Sequence, residues 1–311
     1  MIDIVIPYYN DSDEIWRNIT RNYMTEEGSN DRQVIGEERY RDWDNFRYFF
    51  RGIEENCKWV NKIFLIVATE SQIPDWLDTT NPKLRIVYHR EYIPEELLPT
   101  FNPMTIELFV GNIEDLSDNY IYMNDDYFFL NPTKASMFFV DNYPVYKDNK
   151  FELKKLDTSG EDGTFYQILN NGMDLQTKIC GDKAHWYSIY HLPLAHKKNF
   201  EKEIIDKYYE EFINANKSSK FRNKDNLCGH MFICLYQDLE PYYIFNSYTN
   251  SSYVSVRKDT NFDDYIDKQM VCFNDTQLLK QEDFEETKNR MLDFFSKKFP
   301  NRSSYEREEV Q

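Results

Sequence analysis

Short apolar runs rich in Ile, Val, Tyr and Phe recur between polar stretches of this chain: IDIVIPYY from Ile2, KIFLIVA from Lys62, LRIVYH from Leu84, YIYMN from Tyr120, PYYIFNS from Pro241 and QMVCFND from Gln269. Their length and their β-branched or aromatic content predict strands. Other segments carry apolar residues every three or four positions. In DWDNFRYFFRGIEENCKWV, residues Trp43, Phe46, Phe50, Ile53 and Cys57 form one stripe, which predicts a buried helical face. Further helices are predicted from about Pro103 to Ile113 and through NFEKEIIDKYYEEFI, DNLCGHMFICLYQDL and EDFEETKNRMLDFFSKKF.

Strands alternating with helices predict an α/β fold with a largely parallel central sheet and flanking helices. In such sheets ligands bind beyond the carboxyl ends of the strands. The polar segments YMTEEGSNDRQVIGEER and VYKDNKFELKKLDTSGEDGTF read as loops, the second with a tight turn at Asp162-Gly163. No Pro/Gly-rich linker divides the chain, so residues 1–303 read as one catalytic domain with insertions and 304–311 as a disordered tail.

Composition narrows the function. With 41% hydrophobic and 17% aromatic residues the chain can bury a large core, and its net charge of −17 repels a polyphosphate backbone, which argues against nucleic-acid binding. No run approaches the roughly 18 to 20 apolar residues of a membrane span, and MIDIVIPYY lacks the features of a signal peptide. A cytoplasmic location is the expectation. The cysteines Cys57, Cys180, Cys228, Cys234 and Cys272 show no metal-binding spacing and read as reduced core residues.

Three predicted strands end in an Asn-Asp pair. YIYMNDDYFFL delivers Asn124, Asp125 and Asp126; IDIVIPYYNDSDEIW delivers Asn10, Asp11, Ser12 and Asp13; MVCFNDTQ delivers Asn274 and Asp275. Adjacent carboxylates at a strand end can hold a hard divalent cation that neutralises phosphate oxygens. Each pair alone has a plainer reading, as caps of the following turn. Three of the five histidines, His185, His191 and His196, fall within HWYSIYHLPLAH, which suits a loop facing substrate; for His185 and His230 a structural hydrogen bond is the simpler reading. Arg222 lies just ahead of a predicted helix, where its guanidinium fork would suit a phosphate.

Taken in order, IDIVIPYYNDSDEIW, RYRDWDNFRYFFRGIEENCKWVNKIFLIVATESQIPDWL, LPTFNPMTIELF with YMNDDYFFLNP, HLPLAH through FRNKDN, and CFNDT resemble the conserved blocks of the Stealth family. That family contains bacterial capsular and cell-surface polysaccharide phosphotransferases and the catalytic subunit of the animal N-acetylglucosamine-1-phosphotransferase. The first block departs from it, with Ile6-Pro7-Tyr8-Tyr9 in place of a Tyr-Thr-Trp type run and Asp11 where Gly is common. The resemblance implies a Rossmann-like fold of nucleotide-sugar transferase type. It also implies transfer of a hexose or N-acetylhexosamine 1-phosphate from a UDP-sugar donor to a hydroxyl of a glycan or lipid-linked oligosaccharide acceptor, with release of UMP.

Matched by position, Glu107, Asp126, His191 and Arg222 look like the catalytic core, and Asp3, Asn10, Asp13, Arg41, Arg47, Asn124 and Asn274 like donor contacts. Asp125, Asp126 and Asp275 would hold Mg²⁺ or Mn²⁺. Arg41 and Arg47 have a competing reading as surface partners of Asp42, Asp44 or Glu54-Glu55. For the general base, His191 ranks first and Asp126 second, and Glu107 would orient the acceptor or His191. Peripheral association with polysaccharide assembly machinery at the inner membrane face is compatible with such acceptors. The rival readings are a metal-dependent glycosyltransferase that transfers the sugar alone and releases UDP, and a sugar-binding module without catalysis.

Overall fold

A computed structural model describes residues 1–10, 13–27, 36, 38, 41–147, 149–160, 162–188, 191–244 and 250–308. The first half contains β1 (Ile2–Pro7), α1 (Glu14–Glu27), α2 (Phe46–Asn56), β2 (Ile63–Val67), β3 (Leu84–Tyr88), the single turn α3 (His89–Tyr92), α4 (Pro103–Leu108) and β4 (Asn119–Tyr122). Then follow β5 (Tyr127–Phe129), β6 (Phe139–Val140), β7 (Tyr143–Tyr146), β8 (Lys150–Phe151), α5 (Gly163–Cys180), β9 (Trp186–Tyr187) and β10 (Leu194–Lys197). The chain continues through α6 (Lys198–Lys207), α7 (Tyr209–Asn216), α8 (His230–Leu239), β11 (Tyr243–Ile244), β12 (Ser251–Ser255), β13 (Met270–Asn274) and α9 (Gln281–Lys298).

The central sheet runs β10-β4-β1-β2-β3, with β4, β1, β2 and β3 parallel and β10 antiparallel at the edge. The chain starts in the middle, winds outward to β3, then returns to the other side of β1, so the winding reverses between β1 and β4. This is the Rossmann-like order, and the reversal opens a crevice at the carboxyl ends of those two strands. Both faces of the sheet are covered, which is why IDIVIP and IFLIV read as unbroken apolar runs rather than alternating ones. Alternation survives in where the side chains go. Ile4, Ile6, Ile63, Leu65 and Val67 enter the core beneath α2, whereas Val5, Phe64 and Ile66 pack on the other face with Phe109, Phe212 and Phe232. Each fully buried side chain of this kind contributes roughly 1.5–3 kcal/mol.

A second sheet, β12-β13-β5, is joined to the first by the turn between β4 and β5, so one short segment belongs to both layers. Residues Phe46, Phe50, Ile53 and Cys57 are buried as their spacing predicts, while Trp43 lies just before the helix. The predicted helix through NFEKEIIDKYYEEFI is two helices broken at Tyr208, and the one from Pro103 ends at Leu108 in a further 3₁₀ turn. Of PYYIFNS only Tyr243–Ile244 forms a strand, and 245–249 fall outside the described residues.

Three expectations are corrected. The segment through Asp162-Gly163 is not all loop: the expected tight turn forms, closed by Gly163 N donating to Gly160 O (3.0 Å), but it leads directly into the 18-residue α5. Its middle, Asn170-Asn171-Gly172, disfavours a helix on propensity, but Ile168, Leu169 and Met173 are buried, and packing overrides propensity. Residues 304–308 of the expected tail are tied down, since Glu306 accepts Arg51 Nε and Nη2, each at 2.7 Å, and Tyr305 is buried; 309–311 fall outside the described residues. Arg222 does not open a helix, because α8 begins at His230. Among the described residues no helix is long and apolar enough to cross a membrane.

Gly52 marks the closest approach of α2 to the second sheet; a Cβ there would lie 2.8 Å from the Phe129 carbonyl oxygen. Gly52→Ala gains about 1 kcal/mol in helix propensity and loses more to a clash with strand backbone. Denaturant unfolding is expected to show a net loss of about 1–3 kcal/mol.

Candidate functional site

Beyond the carboxyl ends of β1 and β4 lies a cleft of about 1410 Å³. Typical ligand pockets hold roughly 300–1,000 Å³, so this cleft exceeds what a single small ligand needs. Tyr127 N donates to Asn124 O (3.2 Å), closing the turn that carries the chain from β4 to β5. That turn aims Asn124, Asp125 and Asp126 into the cleft, and Phe273 N donates to Asp126 O (2.9 Å), clamping the turn to β13.

Asp126 Oδ2 lies 3.1 Å from Cys272 Sγ and 3.9 Å from His191 Nε2. Its Oδ1 is buried and has no hydrogen-bond partner among the described residues. Burial, then the neighbouring Asp125, push its carboxyl up to about 7. Asp125 opens to the water of the cleft, yet protein surrounds it closely enough that burial, with Asp42 adding repulsion, raises it to about 6.

Glu107, on α4, is likewise raised to about 7, first by burial and then by Glu201, against the pull of His196, the Gly229 N–H and Arg222. Gly229 is needed for space: a Cβ there would come within 2.4 Å of Glu107 Oε1. His191 stands edge-on to Tyr127 and Tyr253, at ring distances of 5.1 and 5.7 Å. Although 48% of its side chain is exposed to the cleft, burial and the Arg222 charge hold it down at about 4, so it is neutral at pH 7.

Arg222 reaches the same cleft from the loop between α7 and α8. Asn226, fully buried, fastens that loop: its Oδ1 accepts from Asn223 N (2.8 Å) and Asn102 Nδ2 (2.9 Å), and its Nδ2 donates to Ala215 O (3.0 Å). Asn102 caps α4 by accepting from Met104 N, so one Asn pair positions both Glu107 and Arg222. Behind the cleft, His196 Nδ1 meets Glu201 Oε1 at 2.7 Å, and Tyr120 donates to Glu201 Oε2.

Glu107, Asn124, Asp125, Asp126, His191, Arg222, Arg41, Asn274 and Asp275 all line the cleft. Asp275 is nevertheless corrected as a metal ligand: Arg41 Nη1 donates to its Oδ1 (3.1 Å) and Trp43 Nε1 to its Oδ2 (3.1 Å). Arg41 also binds Leu279 O and Gln281 Oε1 and lies over Phe284, which makes it a structural cation.

Four predicted donor contacts lie outside the lining. Asp3 sits at the amino end of β1, the wrong end, accepting from Asn61 Nδ2, Lys62 N and Ser117 N. Arg47 lies over Trp76. Asp13 caps α1 through Ile15 N and Trp16 N and accepts from Ser71 and Gln72; burial pushes it up, but these hydrogen bonds prevail and hold it below the usual carboxylate range. Asn10 pairs through its backbone with Gln72, so it and Asp13 support a residue that does line the cleft. Asp11 and Ser12 fall outside the described residues.

His185 and His230 are structural hydrogen-bonders, the first to Lys183 O and Asp238, the second to Tyr187 O. Sequence reasoning missed Cys272, Gly229, Asn102 and Asn226. Cys272 is buried and free as expected, but its thiol faces Asp126.

Residues 39–146 match the family described as Stealth protein CR2, conserved region 2. The chain is 31% identical over 98% of both sequences to the capsular polysaccharide phosphotransferase WcwK of Streptococcus pneumoniae. It is 24% identical to the exopolysaccharide phosphotransferase cps2G of Lactiplantibacillus plantarum, over 98% of this chain and 96% of that one. A 106-residue stretch is 45% identical to the capsular polysaccharide phosphotransferase CpsJ of Streptococcus thermophilus, covering 34% of this chain and 44% of that one. Among solved structures, an active-site mutant of LgtC aligns over 94% of this chain and 95% of its own at 10% identity and a TM-score of 0.39, a likeness too loose to carry an argument.

Asp275 itself is raised to about 6, burial outweighing Arg41. In Arg41→Leu it loses its cation and rises further. A carboxyl raised on folding stabilises at low pH and loses that contribution as pH climbs through the folded value. Urea unfolding of the variant is therefore expected to show a loss approaching roughly 3–5 kcal/mol near pH 8 and a clearly smaller loss near pH 5.

Proposed function

The chain belongs to the Stealth family of polysaccharide phosphotransferases, and we propose that it transfers a hexose or N-acetylhexosamine 1-phosphate from a UDP-sugar to a hydroxyl of an acceptor glycan, releasing UMP. The observation that carries this reading is the convergence of Glu107, Asp126, His191 and Arg222, drawn from four separate segments, on one cleft large enough for donor and acceptor together. Phosphoryl transfer asks mostly for positioning and charge stabilisation, and this set offers both.

The acceptor oxygen attacks the sugar-bearing β-phosphorus. The bond from that phosphorus to the bridging oxygen breaks, and UMP leaves with its electron pair. Arg222 offsets charge on the non-bridging oxygens. The residues fit a Mg²⁺ or Mn²⁺ ion: Asp125 opens to the cleft and Asp126 Oδ1 has no hydrogen-bond partner among the described residues, so both offer hard oxygen donors. When bound, such an ion neutralises diphosphate charge.

The hydroxyl proton goes to Glu107. This departs from the order expected from sequence, in which His191 comes first. A group held at about 4 is a weak base at neutral pH, and Asp126 is engaged in holding the ion, whereas Glu107 at about 7 matches the working range. His191 then serves as a neutral hydrogen-bonding group beside Asp126.

Incubating the protein with UDP-hexoses, a divalent ion and acceptor glycan is expected to yield UMP and a new phosphodiester visible by ³¹P NMR; UDP with a glycosidic bond would establish the sugar-only transferase instead. Arg222→Ala is expected to abolish turnover in a folded protein, and near-normal activity would remove Arg222 from the site. Glu107 must lose its proton to act, so kcat/KM should rise with pH through about 7 and fall about tenfold per unit below it. Glu107→Gln should lose about 10²–10⁴-fold in rate, and an acid limb surviving unchanged in that variant would reassign the base.

A further inference from the structure

We propose that Asp126, His191 and Cys272 form a site for a thiophilic divalent ion of the Zn²⁺ class, and that occupancy of this site blocks the catalytic cleft. The three ligand atoms lie within 4.8 Å of one another. Two of the separations lie just outside those of a coordination sphere, one slightly short and one slightly long. Tetrahedral zinc with bonds of about 2.0–2.3 Å places its ligands about 3.3–3.8 Å apart; Asp126 Oδ2 lies 3.1 Å from Cys272 Sγ and 3.9 Å from His191 Nε2.

The surroundings hold each donor in place. Cys272 is fully buried in β13, paired with Tyr253 of β12 and Tyr127 of β5, so its thiol points where the sheet puts it. The His191 ring is flanked by Tyr127 and Tyr253 and brings its Nε2 to 3.9 Å from Asp126 Oδ2. Asp126 Oδ1 on the same carboxylate is buried and has no hydrogen-bond partner among the described residues, so the group as a whole is short of donors.

Thiolate and imidazole select zinc-like ions, whereas Mg²⁺ and Mn²⁺ prefer an all-oxygen set. On binding, the thiol releases its proton to solvent and the sulfur joins the ion. Three protein ligands leave a fourth position for water or a phosphate oxygen. An ion held at Asp126 Oδ2 would place its charge beside the Oδ1 that the hard ion would use, and His191 would be withdrawn from the cleft. This consequence for activity rests on the proposed reaction; the binding itself does not.

The test uses the full chain and Cd²⁺ as a spectroscopic stand-in for Zn²⁺. Titration is expected to produce the ultraviolet thiolate-to-cadmium charge-transfer band with one ion per chain, removed by competing Zn²⁺. Cys272→Ser should abolish the band, while Cys180→Ala and Cys228→Ala should retain it. His191→Ala, at a half-exposed position and with folding checked by circular dichroism, should weaken Cd²⁺ binding by more than the roughly 10–100-fold that loss of a supporting contact costs, and it stands as the decisive variant if Cys272→Ser does not fold. A band that persists in Cys272→Ser, affinity unchanged in His191→Ala, or no band at all would overturn the site. Given turnover, Zn²⁺ should inhibit wild type at concentrations at least tenfold below those needed for Cys272→Ser; activation by Zn²⁺ would overturn the blocking role. A protein that binds Cd²⁺ in this way but turns over no UDP-sugar would leave the site standing and sink the reaction.

Discussion

The structure turns on one carboxylate whose buried oxygen is satisfied by none of the described residues. Taking a charged carboxylate out of water is costly unless a cation or a set of hydrogen bonds replaces the lost solvent. This chain shows both remedies. Asp275 is held by Arg41 and Trp43, and Asp13 by two backbone and two side-chain donors. Asp126 receives neither from the described residues, having a weak thiol donor on one oxygen and no hydrogen-bond partner among them on the other. The contrast separates acids that stabilise the fold from acids that the fold stabilises for use.

Holding such a group in place requires rigid surroundings, and the topology supplies them. The turn from β4 to β5 is anchored at one end in the parallel sheet and at the other in the β12-β13-β5 layer, so it cannot relax to expose Asp126 without disturbing both. Glu107 is constrained in the same spirit. The Gly229 backbone crowds it on one side, the Asn102–Asn226 pair fixes its helix, and His196 with Glu201 and Tyr120 fill the space behind. Preorganisation of this kind is what keeps two carboxyls near neutrality when ordinary glutamate and aspartate titrate at about 4.

Much of the fold was legible because burial on both faces leaves an unmistakable trace: IVI and IFLIV admit no amphipathic alternative. The stripe from Phe46 to Cys57 was equally plain. Helix α5 was not, because its central Asn-Asn-Gly looks like a loop until Met231 of α8 packs 3.4 Å from the place where a Gly172 Cβ would be. At the site, the candidate aspartates are chemically alike on paper. Only the register of neighbouring strands and loops decides that Asp3 faces the Asn61 amide, Asp275 an arginine, and Asp126 a cleft. Cys272 fits the pattern of a core cysteine, and it is one; which atom its thiol meets is a long-range fact that no local spacing encodes.

Charge completes the argument for an ion in the cleft. The chain carries a net charge of −17, and the acids at the cleft are already raised by dehydration and by one another. A nucleotide-sugar donor would bring two more negative charges to a diphosphate facing these carboxyls, and one Arg222 balances only part of that sum. Each remaining charge left unpaired in a partly dehydrated cleft costs more than its counterpart in water. On the proposed reaction, Asp125 and Asp126 would hold a divalent cation, whose charge would offset part of that of the diphosphate. Donor and ion would therefore bind with positive coupling, each raising the affinity for the other by the same factor.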